Sequence, residues 1–208
     1  MELFIVRHAQ PTRAPGGTPN GDPGLTPEGT SQAKSLSQWL AMDPRRQPDR
    51  IISSPMQRAL QTAEPAAQAC ALPVEVDARL AEFDQGAAEY VPLEVTGRAL
   101  RQQVAQALQT GRWGEHWFDP EAFRLRVAAA FADIICEGAP KRVMVVCHGG
   151  VINSYLSQVV DRSHGVFFHP HFASVSRVHV NRAGVAGLTS LNELPQAHLL
   201  EQAGADES

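Results

Sequence analysis

The sequence predicts an α/β protein with a largely parallel sheet, and three observations predict it. Unbroken apolar runs at Leu3-Phe4-Ile5-Val6 and Val143-Met144-Val145-Val146-Cys147 have the pattern of strands covered on both faces. Such runs alternate with stretches of helical period, as right-handed crossovers between parallel strands require. The alternation continues without internal repeats over 208 residues, enough for one sizeable domain with a full hydrophobic core.

Each element has its own signal. The run ending at Val6 is the first strand, and a Pro/Gly-rich loop from Pro11 to Gly24 follows, expected to be exposed and mobile. Thr26-Pro27-Glu28 then supplies an N-cap, a proline at the first helical position and an acid in the first turn. Ala33, Leu36 and Leu40 share one face of that helix. Ile51-Ile52 is the second strand. Behind it, Ser54-Pro55-Met56-Gln57 reads as a capping box, with Ser54 as the cap and Gln57 reciprocating. The helix it opens carries Ala59, Ala63, Ala66 and Cys70 on one face.

A short strand from Val74 to Val76 precedes Leu80 and Glu82. Residues 87–118 are less regular and hold Tyr90, Trp113, His116 and Trp117. They read as a cap-like insertion over the sheet, within a single domain of residues 1–208. The aromatic residues there read as insertion packing. Asp119-Pro120-Glu121 repeats the cap, proline and acid start, and Phe123, Val127, Phe131 and Ile134 form a core-facing stripe. The strand from Val143 to Cys147 and a helix after Gly149 complete another unit. Val175 to Val180 and Val185 to Leu188 form a final hairpin or edge pair.

Composition narrows the function classes. A net charge of -4 and a pI near 6.0 argue against broad nucleic-acid binding, which needs a basic surface. The longest apolar stretch, around residues 143–160, is broken by His148, Asn153 and Gln158, so no membrane span is expected. Arg7 arrives too early for the apolar region of a signal peptide. Cys70, Cys136 and Cys147 form no CxxC pair, and each sits in an apolar stretch, as buried thiols of a reducing compartment do. The expectation is a cytoplasmic protein. Nothing in the sequence reads as an oligomer interface.

In parallel α/β sheets, ligands bind beyond the carboxyl ends of the strands. Arg7 and His8 follow one strand, Arg58 lies in the first helical turn after another, and His148 ends a third. All four are therefore expected at one edge. An arginine offers a planar fork of donors matched to two phosphate oxygens. The helix beginning near Gly149 adds backbone N–H groups and the positive end of its dipole. A histidine nucleophile must be neutral to attack phosphorus, and neighbouring arginines disfavour its protonation. His8 is the candidate nucleophile. The leaving alcohol needs a proton, which Glu82 can hold beside apolar neighbours; Asp84 competes by position alone.

Taken together, these segments resemble the histidine phosphatase superfamily, its phosphoglycerate-mutase-like branch with the Arg-His-Gly signature. Arg7-His8 matches the signature pair, and Leu25-Thr26-Pro27-Glu28-Gly29 through Gln32-Ala33 the following helix start. Ser53-Ser54-Pro55 through Arg58-Ala59 matches the second-arginine motif, and Glu82 with Gly86 the acid-x-x-x-glycine pattern, which favours Glu82 over Asp84. Val146-Cys147-His148-Gly149-Gly150-Val151-Ile152 matches the second-histidine motif, and Asn192 with His198-Leu199 a common ending.

The resemblance implies a three-layer sheet with helices on both faces and a two-step phosphoryl transfer through His8. Arg7, Arg58, His148 and Gly149 would hold the phosphoryl group, and Glu82 would act as acid and then base. It implies no metal and no cofactor. Two departures stand out. Ala9 replaces the signature glycine, which is tolerated if φ there stays negative. Pro11 and Ala14 replace the serine and asparagine that mutases carry three and six residues after the nucleophile. Hydrolysis of a small phosphorylated metabolite is therefore favoured over mutase-type phosphotransfer. A signalling phosphatase for protein phosphohistidine or phosphotyrosine, and a non-catalytic phosphate-binding module, are the remaining alternatives. His164, His169 and His171 invite a metal-site reading, but nothing at convincing spacing completes it. Gln10 is expected to touch either phosphate or only its loop.

Overall fold

The computed structural model describes residues 1–12, 22–87, 98–136, 141–163 and 165–195. Along the chain its elements run β1 (Glu2–Arg7), α1 (Pro27–Ala41), β2 (Arg50–Ser53), α2 (Gln57–Cys70) and β3 (Val74–Val76). Then follow α3 (Arg98–Thr110), β4 (Arg112–Trp113), β5 (His116–Trp117), α4 (Pro120–Cys136), β6 (Arg142–Cys147), α5 (Gly149–Val159), β7 (Val175–Val180) and β8 (Ala186–Glu193). The expected loop lies largely outside the described residues, as do Ala14, Tyr90, His164 and His198-Leu199.

Alternate residues of β1 face opposite ways, and both ways are dry. Leu3 and Ile5 join Val143, Val145 and Cys147 in a core closed by Phe123, Val127, Phe131 and Ile134 of α4 and by Val151, Ile152 and Leu156 of α5. Phe4 and Val6 join Met144 and Val146 in a second core closed by Leu36, Trp39 and Leu40 of α1 and by Ala59, Ala63 and Ala66 of α2. Helices thus cover both faces of the sheet, which gives the expected three-layer α/β/α architecture. The apolar runs are unbroken because neither face meets water.

The six-stranded sheet has the order β3-β2-β6-β1-β7-β8. β1, β2, β3 and β6 are mutually parallel, while β7 pairs antiparallel with β1 and β8 antiparallel with β7. The final hairpin is as expected, and β8 runs five residues past Leu188. Thr26 caps α1 by accepting from the Gly29 N–H at 2.9 Å, and Asp119 accepts from Glu121 and Ala122 at the start of α4.

Three expectations need correction. The capping box at Ser54 does not form: α2 begins at Gln57, whose N–H donates to the Asp22 carboxylate at 3.0 Å. Ser54 is engaged elsewhere, and an acid from a distant loop takes its place at the helix dipole. The insertion is more regular than expected, since α3 and the β4-β5 hairpin occupy most of its described part. Of the cysteines only Cys147 is buried; Cys70 is half-buried and Cys136 exposed. Among the described residues, no helix is long and apolar enough to cross a membrane.

Candidate active site

Sheet register places the site. β1 and β6 pair with Arg7 opposite Cys147, and β2 and β6 with Ser53 opposite Val146. His8, Ser54 and His148 are therefore the first residues beyond three adjacent parallel strands. The ladder continues one step past the strands: the His8 N–H donates to Cys147 O at 2.9 Å, and the Ser54 N–H to Val146 O at 2.9 Å. The two imidazoles consequently meet, with ring centroids 5.1 Å apart.

His8 is buried, and its Nδ1 lies 2.8 Å from Ala9 O. A carbonyl only accepts, so Nδ1 carries the proton and the neutral ring keeps its lone pair on Nε2. Burial, reinforced by the Arg58 and Arg7 guanidiniums, holds the His8 pKa well below the usual histidine range. The ring is neutral at any working pH near 7. Ala9 has negative φ, so its methyl replaces the signature glycine without strain.

His148 is buried as well, and the same two causes, burial first, lower its pKa. Its Nε2 meets Ser54 Oγ at 2.7 Å, which is where the serine expected to cap α2 is engaged. Nδ1 of His148 is buried with no hydrogen-bond partner among the described residues. Such an atom suits a ligand oxygen.

Two guanidiniums complete the cluster. Arg7 donates to Pro170 O at 2.6 Å and lies against the Phe172 ring, 4.5 Å from its centroid. The same ring stands 5.8 Å from that of His8. Arg58, wholly buried in the first turn of α2, sits between Asp84 at 3.2 Å and Asp22 at 3.5 Å.

Glu82 reaches the cluster from the 3-10 turn Ala78–Leu80 after β3. Its Oε1 accepts from the Phe83 N–H at 3.0 Å and its Oε2 from the Gly150 N–H at 2.7 Å. It thus sits at the amino end of α5. Burial, and then the nearby Asp84 charge, push its pKa up to about 7 in spite of those hydrogen bonds and Arg58. Asp84 is tied to Arg58, so the two acids expected to compete have different surroundings.

Arg7, His8, Arg58, Glu82 and His148 are brought together. Gly149 also lies here: a Cβ on it would meet only Arg7 Nε, at 4.0 Å. The tighter requirement falls on Gly150, where a Cβ would stand 2.3 Å from Glu82 Oε1. Gln10 belongs to its loop, its Oε1 accepting from the Thr26 hydroxyl. Trp113 packs edge-on against Phe83, 6.0 Å between centroids, while Trp117 is exposed. His169 and His171 frame the turn before β7, where Asn192 accepts from the His171 N–H and donates to His169 O.

Sequence reasoning missed Asp22, Phe172 and the site role of Ser54. Only Ser54 had a signal: it ends a strand parallel to the one His148 ends.

Parallel strand ends bearing two neutral histidines, two arginines and a carboxyl of raised pKa define a phosphate-handling class. The chain belongs to the histidine phosphatase superfamily, branch 1, whose family model matches residues 3–193. Human 6-phosphofructo-2-kinase/fructose-2,6-bisphosphatase 4 is 28% identical over 169 residues, which are 77% of this chain and 33% of that protein. The chain thus spans about a third of that relative's length. Glucosyl-3-phosphoglycerate phosphatase of Mycolicibacterium vanbaalenii is 30% identical over 164 residues, 72% of this chain and 70% of the other. The alpha-ribazole phosphatase from Shigella flexneri shares the fold at a TM-score of 0.70 and 22% identity, covering 93% of this chain and 96% of that chain.

Proposed function

We propose that the protein is a phosphomonoesterase that needs no metal and hydrolyses a small phosphorylated metabolite through a phosphohistidine on His8. The observation that carries this reading is the buried His8 ring with Nδ1 2.8 Å from Ala9 O, an acceptor that assigns the proton to Nδ1 and leaves the lone pair on Nε2. In the first step Nε2 attacks phosphorus, the ester P–O bond breaks, and Glu82 gives its proton to the leaving oxygen. In the second, Glu82 takes a proton from water as that water attacks phosphorus. The P–N bond then breaks, and its electron pair returns to Nε2. Splitting one displacement into two is the gain of covalent catalysis. Arg7, Arg58, His148 and the N–H groups at Gly149 would hold the phosphoryl oxygens, where preorganised donors have their largest effect.

Hydrolysis is favoured over isomerisation by Pro11. It is buried, pairs across the loop with Leu25, and offers no hydroxyl where mutases carry serine. A binding-only module has no use for a carboxyl poised near neutrality, and Glu82 is one. A cytoplasmic location belongs to the same proposal, supported by three free thiols. The test is turnover of an aryl phosphate in EDTA by the protein and by its His8→Ala variant, with circular dichroism as the folding control. The reading expects free phosphate from the first and none from the second. Equal turnover by both would refute it; a phosphoglycerate offered in place of the aryl phosphate and isomerised without free phosphate would establish the mutase.

A further inference from the structure

We propose that Thr62 is a positioning residue that fixes the tautomer and aim of the His8 ring and ties that ring to Arg58. The inference deepens the phosphohistidine reading and rests on it for its kinetic consequences. Thr62 lies on α2, one turn after Arg58, and is wholly buried. Its Oγ1 donates to Arg58 O at 2.6 Å, a bond that helical threonines commonly make with the preceding turn. The second bond is not local. The same oxygen accepts from the Ala9 N–H at 2.9 Å, so one hydroxyl joins the helix of the arginine to the strand end of the nucleophile.

Ala9 is also the residue that orients the ring, because its carbonyl accepts the Nδ1 proton of His8 at 2.8 Å. The other half of that peptide is held too: the Gln10 N–H donates to Gln32 Oε1 at 2.9 Å. The His8 carbonyl accepts from the Ala173 N–H at 3.3 Å. Every polar backbone group from His8 to the Gln10 N–H is therefore engaged, and the two on either side of the orienting carbonyl are gripped by helix side chains. The threonine methyl restricts χ1 and so fixes the hydroxyl between its two partners. Valine has the same shape and neither bond.

Thr62→Val is expected to lower kcat toward an aryl phosphate roughly tenfold to a hundredfold, the scale of a small misplacement of a reacting group, with KM nearly unchanged. Thr62→Ser, which keeps the hydroxyl, should recover most of that loss. Nitrogen NMR of the histidine rings gives a readout independent of turnover. His8 should carry its proton on Nδ1 in the wild type and show a mixture of tautomers in Thr62→Val. An Nδ1–H ring with undiminished kcat in the variant would overturn the proposal. If Thr62→Val does not fold, Gln32→Leu loosens the same turn from α1, whose Gln32 is only half-buried, and the same two readouts decide. If the wild type turns over no phosphate ester, the phosphomonoesterase reading falls while the spectrum still decides the role of Thr62.

Discussion

His8 and Glu82 occupy one site, and burial moves their pKa values in opposite directions, because it disfavours the charged form of each. His8 is therefore neutral well below the usual histidine range, while Glu82 still holds its proton up to about pH 7. The first step needs both forms, so kcat/KM should hold level toward acid and fall as pH rises through about 7. Glu82→Gln should remove that basic limb and lower turnover of an alkyl phosphate by roughly 10²–10⁴, and of an aryl phosphate less, because an aryl oxide leaves without a proton. The same shift bears on stability. The folded-state pKa lies above the ordinary 4.5, so the stability linked to Glu82 is complete below 4.5 and lost as pH rises to about 7. The loss is on the order of 3 kcal/mol for a shift of this size. Denaturant unfolding of the wild type and Glu82→Gln across that range should show the wild type losing stability relative to the variant. Arg58→Lys should keep the charge between Asp22 and Asp84 but lose the planar fork, lowering turnover roughly 10²–10³ while the fold survives.

At the scale of elements, the site is a consequence of parallel pairing: strands β1, β2 and β6 end in register and deliver His8, Ser54 and His148 side by side. The turn into α5 then makes two neighbouring glycines unequal. Gly150→Ala would drive its Cβ into Glu82 Oε1, so turnover should collapse, with a loss of stability visible in thermal unfolding. Gly149→Ala meets only Arg7 Nε at 4.0 Å and should fold normally, without the stability loss of Gly150→Ala. Reversed outcomes would mean that Glu82 is not seated on the start of α5. The strands and the helices with local caps were legible in sequence, because Thr26 and Asp119 bond within their own first turns. The start of α2 was not, since its cap, Asp22, comes from 35 residues away. Nor was α3: Leu100, Val104 and Leu108 do recur at helical spacing, but no acid marks its first turn as Glu28 and Glu121 mark those of α1 and α4. The two-residue strands of the β4-β5 hairpin are too short for alternation to register.

Across the whole molecule, the convergence of Arg7, His8, Arg58 and His148 was readable, because strand-end chemistry plus a parallel sheet leaves one edge for all four. What escaped was every contact that depends on register or long-range packing: Ser54 with His148, Asp84 with Arg58, and Thr62 with Ala9. No local pattern encodes such pairs. The choice of Glu82 over Asp84 came from the resemblance, and the structure adds a physical distinction, a guanidinium on one acid and backbone N–H groups on the other. The account as a whole stands on the covalent use of one nitrogen. Its most direct test is to mix the protein with a radiolabelled phosphate ester, quench in alkali within a turnover, and locate the label by peptide mapping. The account predicts an acid-labile, alkali-stable phosphoryl group on the peptide containing His8, absent from His8→Ala. Steady turnover with no labelled protein, or with the label on another residue, would contradict it.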